Sequence, residues 1–139
     1  MSKKAVVFDR LAMKETVAIN RQMRSFSALN DEFQSVEKMR QTLQEMADET
    51  ASKDGLQNAG TLRANAAMGH QIRTQLETAG NRCDYLQDEL THLRQQIAAT
   101  GRRRDKSSEK ARDIRRQTRD QREARREDDD ASRRRPKSR

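Results

Sequence analysis

The chain has 139 residues, of which 32% are apolar, 3% aromatic and 37% charged, with a formal net charge of +8. So little apolar material cannot fill a globular core, which leaves a disordered chain or a helical assembly that buries only a narrow stripe. The excess charge sits at one end: residues 1–99 hold 13 Lys and Arg against 13 Asp and Glu, and residues 100–139 hold 17 against 9.

The first predicted element is a helix over about Phe8 to Ala51. Ala5, Ala12, Ile19, Phe26, Phe33 and Ala47 recur every seven residues or multiples of seven, and Phe8, Leu29, Val36 and Leu43 form the complementary set. These are core positions of a coiled coil, interrupted at Glu15, Gln22 and Arg40. Arg40 either locks the register by pairing across the seam with Glu77 or another acid, or packs its stem and sends its charge out to solvent.

Residues 52–61 gather the turn formers. Gly55 is the expected helix stop, and Asn58 or Thr61 the expected cap of the next helix. The run Gly55 to Thr61 imitates the glycine spacing of a phosphate-binding loop, but it lacks the lysine and any preceding strand, so a plain turn is expected.

The second helix is predicted over about 62–127. One core set reads Leu62, Gly69, Leu76, Cys83, Leu90 and Ile97, and its partner reads Asn65, Ile72, Ala79, Leu86 and Leu93. A fold-back about the turn places residues whose numbers sum to about 109 side by side. Leu43 then faces Ala66, Phe33 faces Leu76, Phe26 faces Cys83 and Phe8 faces Gly101. The seam is expected to end at Ile97, where the slots turn to Thr100, Arg104 and Ser107. Beyond it an unpartnered basic helix should fray, held only by pairs such as Arg116 with Asp120 and Arg119 with Glu123. Residues 128–139 read as a disordered basic tail. The expected fold is all-α: a long antiparallel two-helix coiled-coil hairpin over residues 1–127, with an extended basic C-terminal helix and that tail.

Chemistry finds little support. His70 and His92 stand 22 residues apart on outward positions and Cys83 lies in the seam, so no metal site or cysteine–histidine pair forms, and neither enzyme activity nor a cofactor is expected. No segment has the apolar length of a signal peptide or membrane span, and one cysteine cannot make an internal disulfide, so a cytoplasmic protein is expected. The basic end calls for an acidic surface. Protein is favoured over nucleic acid, because no aromatic residue follows Tyr85 and nine acids interrupt the basic run.

The opening Phe8-Asp9-Arg10-Leu11 resembles the start of the FliJ family of flagellar export proteins and their type III secretion relatives. The stretch Glu109-Lys110-Ala111-Arg112-Asp113-Ile114-Arg115-Arg116, with the later Arg125-Arg126-Glu127, resembles that family's charged last helix. The resemblance implies a stalk and activator for a hexameric export ATPase, in the cytoplasm or at the periphery of the inner membrane. It also implies contacts with an export gate membrane protein and with secretion chaperones. Phe8, Arg10, Leu11, Arg112, Arg115 and Arg116 are the ATPase contacts it suggests. The alternatives are a basic coiled coil associated with nucleic acid and a purely structural dimerising rod.

Overall fold

The computed structural model describes residues 2–52 and 58–135. Every regular element among them is helical: α1 spans Lys3–Ser52 and α2 spans Ala59–Arg134. The two long helices pack against each other. The expected stop at Gly55 and the last four residues of the expected tail lie outside the described residues.

Both helices outrun their sequence-based bounds. Helix α1 begins at Lys3 rather than Phe8, because Ala5 is buried and nothing before it breaks the helix. Helix α2 begins at Ala59, with Asn58 as its cap: the Asn58 Oδ1 accepts hydrogen bonds from the Thr61 backbone N–H and hydroxyl, each at 2.8 Å. At the other end, residues 128–134 are helical rather than disordered. The stretch Asp128-Asp129-Asp130-Ala131-Ser132-Arg133-Arg134 extends a helix already formed, which needs no new nucleus, and no Gly or Pro interrupts the chain between Gly101 and Pro136. The residue before a proline is pushed out of the helical region, and α2 ends one residue earlier, at Arg134.

The chain divides into two compact units, each with a stretch of both helices: Met1–Arg21 with Ile97–Arg139, and Gln22–Gln96. In the second unit Ile72, Ala79, Cys83, Leu86 and Leu90 of α2 are buried, as is Leu43 of α1. Phe26, Leu29, Phe33 and Val36 are half-buried beside them. Leu86 is 0% exposed, so the thin seam excludes water at this point. Gln22 also occupies a core slot, and its Oε1 is buried without a hydrogen-bond partner among the described residues.

In the terminal unit the seam does not end at Ile97. Thr100 is 1% exposed and Ala111 0%, while Ala5, Ala12 and Ile19 are buried on α1. Ser107, Ile114 and Thr118 remain half-buried. Helix α2 is therefore packed about twenty residues further than its apolar pattern suggested, through small side chains rather than large ones. Threonine fits because its hydroxyl can be satisfied within the helix, as Thr118 shows by donating to the Ile114 carbonyl at 2.9 Å.

This longer overlap comes with a different register. Contacts between the helices join Phe8 to Lys110, Asp9 to Arg115 and Glu15 to Arg103 in one unit. In the other they join Phe26 to Arg94, Glu32 to Arg82 and Glu37 to Cys83. The numbers of each pair sum to between 114 and 124, not to 109. Two heptad sets mesh only at certain offsets. At a sum of about 119 both sets meet core slots, as for Phe33 with Leu86 and Leu43 with Leu76, whereas 109 matches one set, Phe33 with Leu76, and puts Leu43 against Ala66, which belongs to neither. Among the described residues, the ion pairs Glu32–Arg82, Glu15–Arg103 and Asp9–Arg115 each place an acid of α1 against an arginine of α2, which reinforces the choice. Arg40 settles its own alternatives by pairing with Glu37 one turn back, with its side chain exposed, and not with Glu77.

Candidate protein-contact surface

The terminal unit carries the charge of the molecule. Its residues include 22 Lys and Arg against 11 Asp and Glu, a net +11, while residues 22–96 hold 8 against 11, a net −3. Helix packing brings the first twenty residues of the sequence beside residues near 100–118, so the two stretches singled out at opposite ends of the chain share one unit.

Within it, the six sequence-derived contact residues divide. Phe8 is half-buried in the seam, with the Lys110 ammonium 5.4 Å from its ring centroid, so it serves packing. Arg10 is exposed and Leu11 is 41% exposed, an apolar side chain left to solvent beside a cation. Arg112 and Arg116 are exposed one turn apart on α2, and border a polar groove with Arg104, Ser108, Glu109 and Asp113. Arg115 is not free: its guanidinium donates two hydrogen bonds to the Asp9 carboxylate, one of them Nη1 to Oδ1 at 3.3 Å. Arg115 holds the Asp9 carboxyl below the usual carboxylate range, against the opposing effect of desolvation, and Asp9 raises Arg115 in turn.

Sequence reasoning missed Asp9 and Lys110, which tie the helices together, and Arg119, Arg122 and Arg126. The last three border a groove of about 380 Å³ with Ser2, Ala5 and Val6, at the place where α1 begins and α2 continues. Their alternating spacing of three and four residues was visible in the sequence and marks one face of a helix. It was obscured by the acids between them, which lie on another face.

No family model, curated protein or solved structure matches the chain. Its surface has to be read from its own chemistry.

In the second unit a polar cluster crosses the seam. The Cys83 thiol donates to Glu37 Oε2 at 3.4 Å, and Glu37 also accepts from the Nε and Nη2 of Arg40 at 3.1 and 2.7 Å. Burial, and then the Glu37 carboxylate, push the thiol above its ordinary value. His92 shares a hydrogen bond with Gln96, one turn along the same helix, at 3.1 Å. Among the described residues no group of three or more His, Cys, Asp or Glu side chains could hold a metal ion. No helix of the described residues is long and apolar enough to cross a membrane.

Proposed function

We propose that the two helices form an antiparallel coiled-coil hairpin whose terminal end works by binding protein, as a non-enzymatic, cytoplasmic component of a flagellar type III export apparatus. In this role it is a stalk and activator of the hexameric export ATPase and a linker that brings secretion chaperones to the export gate. The reading rests on the family resemblance of residues 8–11 and 109–116, and one structural observation supports it. Both stretches lie in a single strongly basic unit, from which Arg10, Leu11, Arg112 and Arg116 point outward.

A ring of ATPase subunits can hold such a helix pair through many weak polar contacts, for which exposed arginines suit better than a large apolar patch. Arg115 contributes indirectly, by holding α1 against α2 through Asp9. The test uses purified full-length protein and the export ATPase encoded by the same genome. The wild type should raise ATPase turnover, and Arg112→Glu with Arg116→Glu should abolish the increase while leaving the thermal melt within a few degrees, since both side chains lie outside the seam. Absence of stimulation by the wild type sinks the export reading. Unchanged stimulation by the double variant sinks the assigned surface.

A further inference from the structure

From Arg119 to Arg134, α2 is exposed, and the stretch from Arg112 to Glu127 carries a row of arginines and a row of acids. Arg112, Arg115, Arg119, Arg122 and Arg126 follow one another at steps of three and four residues, which stacks them in a single row. Asp113, Asp120, Glu123, Glu127 and Asp130 form a second row about 100° around the helix. Between Arg112 and Arg126 the acids that interrupt the basic run in the sequence therefore do not interrupt the row of arginines in space, and Asp129, one step past Arg126, ends it. Within the row Arg115 is fixed by Asp9 and Arg119 pairs with Asp120 at 3.9 Å, while Arg122 and Arg126 enter no ion pair among the described residues.

The row spans fourteen residues, about 21 Å at ~1.5 Å of rise each. One strand of a nucleic-acid duplex presents a phosphate every ~3.4 Å along its axis, so about six phosphates pass beneath the row. The cation chosen is also telling: residues 100–139 contain 14 Arg and 3 Lys, and the planar guanidinium binds phosphate oxygens in pairs. The same stretch of α2 has no aromatic residue on which an unpaired base could stack, and past Ile114 no large apolar side chain that could enter a bilayer.

We propose that this edge of α2, Arg119, Arg122 and Arg126 continued by Arg112, is a docking surface for the phosphate backbone of a double-stranded nucleic acid. It reads no bases, because it lies along the backbone with the acidic row turned away; entering the groove would press those acids against the opposite strand. The inference does not depend on the export reading, and the two surfaces share only Arg112.

The full chain is titrated into fluorescently labelled DNA and RNA duplexes two helical turns long, with anisotropy read between 50 and 200 mM salt. The four arginines of this edge, with Arg119 giving up its exposed pair with Asp120, predict a slope of log K against log salt of about −3.6, hence a loss of affinity of about 100-fold over that range. Arg119→Glu, Arg122→Glu and Arg126→Glu together should flatten the slope by about 2.7 and weaken binding more than tenfold. The triple glutamine variant, checked for unchanged helicity by circular dichroism, should do the same in kind. The decisive control makes an equal charge change on α1, at exposed Lys4, Lys14 and Arg21, and should alter affinity about twofold or less. Binding to either duplex with this dependence on the arginine row supports the proposal. Absence of binding at 50 mM salt, equal losses in the α1 and α2 variants, or tighter binding to phosphatidylserine vesicles than to both duplexes would overturn it.

Discussion

A second cysteine offers a direct test of the helix register, because the native Cys83 lies in the seam against the turn of α1 that carries Glu37. Val36→Cys or Glu37→Cys should oxidise readily with Cys83 to an intramolecular disulfide, whereas Phe26→Cys should not. The two registers differ by ten residues, which displaces the candidate partners by about 15 Å along the helix axis. A disulfide tolerates Cα separations of only about 4.4–6.8 Å, so a displacement of that size cannot be absorbed by side-chain adjustment. Closing a loop of about 47 residues between positions 36 and 83 lowers the entropy of the unfolded chain by an amount worth about 4 kcal/mol if the bridge is unstrained. Non-reducing electrophoresis and a mass decrease of two hydrogens report the bond. The difference in urea midpoint between oxidised and reduced protein reports the stabilisation. Ready oxidation of Phe26→Cys, with Val36→Cys and Glu37→Cys remaining reduced, would refute the register and everything built on it.

The remaining expectations concern burial and charge. Ala111→Leu forces a larger side chain into a fully buried slot and should destabilise by about 1–3 kcal/mol in urea titration, while Ala124→Leu, on the exposed part of α2, should change stability by about half a kcal/mol or less; equal effects would place Ala111 outside the seam. Because its partner depresses the Asp9 carboxyl in the folded chain, the Asp9–Arg115 pair stabilises above the ordinary aspartate value near 3.9 and is lost as pH falls through the lower folded value. Asp9→Asn should therefore lower the melting temperature at pH 7 and have almost no effect near pH 2, and an effect that grows on acidification would contradict the pairing. Burial raises the Cys83 thiol, so iodoacetamide at pH 8 should label it much more slowly in the native protein than in urea; equal rates by mass spectrometry would show an open thiol.

Local chemistry was enough to specify the two helices. The seven-residue recurrence from Ile72 to Ile97 can be satisfied only by a helix that buries one stripe, and the cap at Asn58 works through a side chain reaching the first turn of its own helix. The divided charge of the chain was equally plain, since it needs only a count along the sequence. How far the seam runs was not legible. Ala111, Thr100 and Ser107 look like surface residues, because alanine, threonine and serine carry little hydrophobic signal, and only the approach of α1 along Ala5 and Ala12 covers them. The register was hidden for a related reason: a heptad pattern repeats and admits several offsets, so the choice falls to contacts between residues about a hundred positions apart, such as Asp9 with Arg115. Those contacts also decide which arginines remain available. Arg115 and Arg119 read alike in the sequence, but the first is held by an acid of α1, whereas the second borders the groove with Ser2, Ala5 and Val6 at the start of that helix and pairs with Asp120 of its own helix at 3.9 Å.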